Sequence, residues 1–363
     1  MATPDRRRRA RTAGLLGAVV GVAAAGVAGG IAVQKLLVRK EKAGPDPYRD
    51  EPFDALPYDT ETTVTTDGGV DLHVEVVEAP GRRKRSAPTV VLVHGYALDM
   101  GTFHFQRRAL TEAGYRVVAY DQPGHGRSAR AADGGYSIQA LGSALWRVIE
   151  QVAPDGPLVL VGHSMGAMTI MALAEQHPQL FGRRGRVRAV ALISTSAGKL
   201  SEVPLGLPNV LPRARARLLP VLAGAAKLTP GVIDRARGAA TDVAYLLTRR
   251  YGFGGASPSP AVVAYVERMN ERTSIEVIAG YLETLFTHSR YAVLSVLADT
   301  DVLVVAGDKD LFTPLAHAEE IARLLPTAEL LVVPDSGHMA LLEYPDVVNQ
   351  ALLALVERAG RKR

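Results

Sequence analysis

Ser164 lies between paired glycines in Gly162-His163-Ser164-Met165-Gly166, and that spacing has a steric cause. A serine held on a strained turn between a strand and a helix needs neighbours without side chains two positions before and two after it. Leu158 to Val161 ahead of it is an apolar run of strand type, and Met168 to Ala174 behind it reads as a helix stopped near Pro178. In this setting the pattern marks a nucleophile elbow rather than an ordinary glycine-flanked turn. The N–H of Met165, at the helix start, would then point at charge developing on a substrate carbonyl oxygen. A second N–H for the same oxygen is expected from Tyr96, in Val93-His94-Gly95-Tyr96 at the end of an earlier strand. His94 reads as a residue that orients this loop.

A serine hydroxyl at its normal pKa is a poor nucleophile, so the chemistry calls for a histidine to take its proton and a carboxylate to orient that histidine. Of nine histidines, His338 in Asp335-Ser336-Gly337-His338-Met339 is the best placed, because it follows the last apolar strand. His125, His163 and His288 are the alternatives. The acid should also follow a strand, which points to Gly307-Asp308-Lys309-Asp310. Asp310 is preferred, at the tip of a turn running to Pro314, with Asp308 and Asp335 behind it. The chain has no cysteine, which removes thiol nucleophiles, disulfides and Cys-based metal sites. The chemistry outlined needs no metal and no organic cofactor. Net charge is +5, but residues 1–42 hold nine Lys and Arg against two acids, so the rest of the chain is slightly acidic. A nucleic-acid partner loses its main support.

Elements must carry these residues to one place. Strand candidates are Leu72–Val77, Thr89–Val93, Arg116–Tyr120, Leu158–Val161, Ala189–Ser194, Val302–Ala306 and Glu329–Val333. From the third onward they are almost continuously apolar, as strands buried on both faces should be, whereas the first alternates and reads as an antiparallel edge. Longer segments of helical type separate them. The fold class is therefore α/β, a mostly parallel central sheet with helices on both faces. The alternation breaks between Leu200 and Phe286, where arginines, prolines and amphipathic pieces replace strands. This stretch reads as a mainly helical insertion above the carboxyl edge of the sheet, where such folds bind ligands. Gly252, Gly254, Gly255, Pro258 and Pro260 suggest a flexible corner inside it, either a lid hinge or a surface loop.

Taken together, Leu92-Val93-His94-Gly95, Asp121-Gln122-Pro123-Gly124-His125-Gly126-Arg127-Ser128, the elbow, Gly307 to Pro314, and Ser336-Gly337-His338 with Glu343-Tyr344-Pro345 resemble the α/β-hydrolase superfamily. The likeness is strongest to bacterial monoacylglycerol-lipase and lysophospholipase-like esterases. It spans residues 60–363 in the chain order Ser, Asp, His. The resemblance implies Asp310 as the acid, residues 200–286 as a cap on a core of residues 58–199 and 287–363, and a structural role for Asp121 to Ser128. It implies ester hydrolysis by a serine acyl-enzyme route. Carbon–carbon hydrolysis, peptide or amide cleavage, thioester cleavage, cofactor-free haloperoxidation and ligand binding without turnover are the other activities such a scaffold supports.

Ahead of this core, Arg6–Arg9 and Arg11 precede 21 uncharged residues, Ala13 to Val33. As a helix they would reach ~31 Å at about 1.5 Å per residue, enough for a bilayer core. The stretch is rich in Ala and Gly and so only weakly apolar, which makes insertion marginal; the expectation is still a single-pass anchor in the cell membrane with the catalytic part outside, with a cleaved secretory signal and a soluble tail as the rivals. Gly17, Gly21, Ala25 and Gly29 fall four apart, a spacing by which membrane helices pair, so a homodimer is a further expectation. Residues 43–57 carry four prolines and several acids and read as an extended, solvated linker.

Overall fold

A computed structural model describes residues 46–79, 87–131, 135–203 and 244–361. The segments read from sequence as a hydrophobic anchor and pairing face, residues 13–33, lie outside the described residues, as does the first half of the insertion. Among the described residues no helix is long and apolar enough to cross a membrane.

Eight strands form one sheet in the order β1-β2-β4-β3-β5-β6-β7-β8. They are β1 (Thr60–Thr65), β2 (Asp71–Val77), β3 (Thr89–Val93), β4 (Arg116–Tyr120), β5 (Leu158–His163), β6 (Val187–Ile193), β7 (Asp301–Gly307) and β8 (Glu329–Val333). From β4 to β8 every pairing is parallel, while β1 and β2 join antiparallel. The alternating strand β2 is antiparallel as expected but is not the edge, because β1 covers it. β1 is hard to read from sequence: Thr-Glu-Thr-Thr-Val-Thr holds one apolar residue, Val64, and that residue alone is fully buried. At the other end β8 is only partly buried despite its apolar sequence, since nothing pairs beyond it in the sheet.

The parallel strands are apolar over most of their length because alternate residues feed two cores. Val91 and Val93 of β3 face one core with α2 (Ile138–Val152) and α3 (Met165–Gln176), while Val90 and Leu92 face the other with α1 (His104–Glu112) and the long C-terminal helix Pro345–Arg361. The same alternation runs through β5 and β7. Ser137 opens α2 with a side-chain cap on the Ala140 N–H.

The described half of the insertion is helical. It comprises residues 244–252 (α4), α5 (Pro260–Arg272) and α6 (Ile275–Thr287). Ser259 and Ser274 cap the last two through the N–H groups of Val262 and Val277. Val262, Tyr265, Val266 and Met269 of α5 join the core on the α1 side. Val277, Tyr281 and Leu285 of α6 share a third apolar cluster with Met165 and Met168 of the elbow helix and Ile138 and Leu141 of α2.

Residues 46–57 are not a solvated linker; they form a strap across α1 and α5. Tyr48 packs on Phe105 with ring centroids 4.9 Å apart, and Phe53 stacks on Tyr265 at 4.3 Å. Asp46 accepts from the Ser259 hydroxyl at 2.6 Å and the Ala261 N–H at 2.8 Å, at the head of α5. Glu51 meets His104 at 2.7 Å, and Asp54 pairs with Arg272 at 2.7 Å. Prolines and acids dominate the composition of the segment, but two aromatic rings have somewhere apolar to go and the acids find hydrogen-bond donors, which is enough to dock it.

Candidate active site

Ser164 lies between the end of β5 and the start of α3, at φ 53° and ψ −118°, a left-handed conformation that side-chain-bearing residues adopt only where the surroundings hold it. The flanking glycines explain how it is held. A Cβ at Gly162 would come within 2.5 Å of the Ala167 nitrogen, and one at Gly166 within 1.9 Å of the Val93 carbonyl oxygen. Only glycine lets the two sides of the turn and the end of β3 approach this closely.

Asp310 and His338 follow the ends of β7 and β8, and the parallel register brings those ends level with the elbow. His338 Nε2 is 2.9 Å from Ser164 Oγ, and His338 Nδ1 is 2.8 Å from Asp310 Oδ2. With Nδ1–H donating to the carboxylate, Nε2 is left as the acceptor of the serine proton. The second carboxylate oxygen, Oδ1, accepts from the N–H groups of Phe312 at 2.8 Å and Thr313 at 2.9 Å, and the Thr313 hydroxyl donates to Oδ2 at 2.7 Å. Burial pushes the Asp310 carboxyl up, but the charge of His338 and the bonds from His338 and Thr313 outweigh it, so the group ends below its ordinary value. Asp310 is a buried carboxylate that stays ionised beside the histidine.

The other histidines are engaged elsewhere. His94 Nδ1–H donates to the Gly95 carbonyl at 2.8 Å while its Nε2 accepts from the Gln122 N–H at 2.8 Å. It orients the loop, as expected. His125 accepts from the Ala97 N–H at 3.1 Å, and His288 donates to the Ser196 carbonyl at 3.2 Å. His163, next to the serine, donates from Nε2 to the His338 carbonyl at 3.0 Å and so supports the histidine loop from below. Burial holds His125, His163 and His288 down to about 4, about 3 and about 4, so all three are neutral near pH 7. Asp335, at positive φ, faces outward in an ion pair with Lys309; it shapes the turn. Asp308 follows β7 without reaching His338, which has Asp310 as its carboxylate partner.

Ser164 and His338 open into a cavity of about 410 Å³. Its walls are apolar: Leu98 and Met168 from the core, Leu247 and Tyr251 from α4, Leu285 from α6, and Phe312 beside the histidine. Tyr96 also lines it, and its hydroxyl donates to the Ile278 carbonyl of α6 at 2.6 Å, a link between the loop after β3 and the insertion that its backbone role did not suggest. Thr313 and Phe312 were also not singled out from sequence. Their signal was present in their positions two and three residues after the acid, but a contact between Phe312 and the His338 ring, 5.1 Å between centroids, depends on how two loops meet.

A buried carboxylate, an imidazole of fixed tautomer and a hydroxyl in one hydrogen-bonded line, facing an apolar cavity, can activate an oxygen nucleophile. Comparison with known proteins agrees with this architecture. The sequence profile of the family described as alpha/beta hydrolase fold matches residues 88–345. The chain belongs to the α/β hydrolase fold family. Over 275 residues it is 28% identical to the dihydrolipoyllysine-residue acetyltransferase component of the acetoin cleaving system of Pseudomonas putida, covering 74% of this chain and 63% of that one. It thus spans less than two thirds of that relative's length. It is 27% identical to an sn-1-specific diacylglycerol lipase of Mus musculus, covering 69% of this chain and 75% of the lipase. Among solved structures, a thermophilic esterase from Thermogutta terrifontis superposes with a TM-score of 0.65 at 23% identity, covering 83% of this chain and all of the esterase, a likeness of fold.

Proposed function

We propose that this α/β hydrolase cleaves carboxylic esters by an acyl-enzyme route, with Ser164 as nucleophile, His338 as general base and then acid, and Asp310 as the group that orients His338. The observation that carries the reading is the continuous line Ser164 Oγ, His338, Asp310, with contacts of 2.9 and 2.8 Å, at the wall of an apolar cavity. In the first half-reaction the hydroxyl proton passes to Nε2 while Oγ attacks the ester carbonyl. The N–H groups of Met165 and Tyr96 stabilise the oxyanion, and the alcohol leaves with the proton from Nε2. Water then gives its proton to Nε2, attacks the acyl-enzyme, and the acid departs as the proton returns to Ser164.

Lipid esters such as monoacylglycerols or lysophospholipids suit the apolar lining, with residues 200–286 acting as a cap over the pocket. A cavity of about 410 Å³ with this lining suits an acyl chain of medium length better than an acetyl group. Location at a membrane through residues 13–33, with the hydrolase domain outside the cell, belongs to the same proposal, as do pairing through that segment and, alternatively, secretion. A fluorophosphonate probe should label the wild type and spare Ser164→Ala; an unlabelled wild type would overturn the reading. A rate series across p-nitrophenyl esters from acetate to palmitate should peak at medium length, and a maximum at acetate would reject a lipid ester. Carbonate extraction that releases the full chain would reject the anchor.

A further inference from the structure

The glycine corner of the insertion is seated directly on the loop that carries His338. The Glu343 carboxylate, seven residues after Ser336 and part-buried, gathers the two segments. It accepts from the Gly254 N–H at 3.2 Å and the Gly255 N–H at 2.6 Å on the insertion side, and from the Gly337 N–H at 2.8 Å on the histidine side. The Ser336 hydroxyl adds a longer contact at 3.3 Å. Bonds from N–H groups to an ionised acceptor are the strong members of their class. Beside the carboxylate the two backbones touch without side chains between them. A Cβ at Gly254 would lie 2.4 Å from the Ser336 carbonyl carbon, and one at Gly337 2.6 Å from the Gly254 nitrogen. The Met339 N–H donates to the Gly252 carbonyl at 2.8 Å, and Gly252 is itself part of the pocket wall.

We propose that Glu343 is a positioning residue that latches the glycine corner following α4 to the backbone just ahead of His338. The glycines that suggested a hinge from sequence serve the opposite purpose, letting two loops approach closely enough to share one carboxylate. Through Gly337 the latch sets where His338 stands relative to Ser164, and through Gly254 and Gly255 it holds the Gly252 end of the cavity. The proposal rests on the hydrolase reading above. Its two ends predict two separate kinetic effects from one side chain. A misplaced base lowers kcat, since a displacement of about 1 Å costs up to ~100-fold. A released wall blurs the choice between short and medium acyl chains, which is read in KM.

The test uses the full chain as wild type, Glu343→Gln and Gly254→Ala. The first variant keeps the volume and loses the charge and one acceptor oxygen; the second forces the same two loops apart from the other side. Turnover of p-nitrophenyl butyrate and octanoate is measured with thermal unfolding and the fraction labelled by a fluorophosphonate. Both variants should stay folded and labelled, with kcat about 10–100-fold down on both esters and the butyrate-to-octanoate KM ratio drawn toward one. Wild-type kinetics in Glu343→Gln would overturn the latch. So would activity falling only in step with the folded, labelled fraction, or a kcat loss with the KM ratio unchanged. A wild type that neither turns over nor labels would instead reject the hydrolase reading.

Discussion

Replacing Asp310 by Asn tests the orienting bond at its most constrained point. The carboxylate accepts four hydrogen bonds, two on each oxygen, and the two on Oδ1 come from backbone N–H groups that cannot turn away. An asparagine amide therefore keeps its oxygen at the Oδ1 position and presents its NH₂ to His338 Nδ1. Facing a donor, Nδ1 becomes an acceptor, the imidazole proton moves to Nε2, and the atom 2.9 Å from Ser164 Oγ no longer accepts a proton. The wrong tautomer lowers kcat by ~10⁴-fold, or about 5 kcal/mol of barrier at 1.36 kcal/mol per tenfold. Turning the amide over restores the tautomer but sets NH₂ against two buried N–H groups, at a cost of about 2–6 kcal/mol. Either way the loss lies between ~30-fold and ~10⁴-fold. KM should change little, because Asp310 lies behind His338 and does not line the cavity. The assay is steady-state release of p-nitrophenol from a medium-chain ester, with thermal unfolding as a control for folding. A kcat within tenfold of wild type in a folded Asp310→Asn protein would refute the argument that this carboxylate sets the tautomer.

Acidification should destabilise the fold well above the carboxylate range. His125, His163 and His288 are held down by burial to about 4, 3 and 4, so below pH 6.5 the unfolded chain binds protons that the folded protein refuses. Their contribution is complete above about pH 6.5 and is lost as pH falls toward 4, on the order of 3 kcal/mol for His125 alone. Asp121, pushed up to about 7 by burial and by Asp99, works the other way, since its folded carboxyl keeps a proton that the unfolded chain releases. Three histidines outweigh it, so Tm should drop between pH 6.5 and 4.5; a flat or rising Tm would count against neutral buried histidines. Phe53→Ala removes the stack on Tyr265 and should cost about 2 kcal/mol for a half-buried ring, read from the urea midpoint. An unchanged midpoint would show that the strap does not brace α5.

Glycine and local pattern made much of the site readable. The elbow follows from a steric rule acting within five residues, and the apolar runs of β3 to β7 follow from burial on both faces; both are local causes with local signatures. The short run after each strand end, at Asp310 and His338, was readable because a parallel sheet delivers all its carboxyl ends to one edge. β1 escaped because a threonine-rich edge strand with one buried valine has almost no hydropathy signal. Residues 46–57 were misread because their docking depends on Phe105, Tyr265 and Arg272, partners far along the chain. The glycine corner shows the same limit. Gly254 and Gly255 announce only conformational freedom, and whether that freedom makes a hinge or permits close approach is settled by what lies opposite. Here that is the Glu343 carboxylate and the backbone of Ser336 and Gly337, brought within reach only when β8 and the insertion have taken their places. The chain's own residues thus marked the proposed nucleophile, its proposed helpers and most of the sheet that carries them. Tertiary structure decided which surfaces those elements press against, because contact across long sequence separations leaves no periodic trace in the sequence itself.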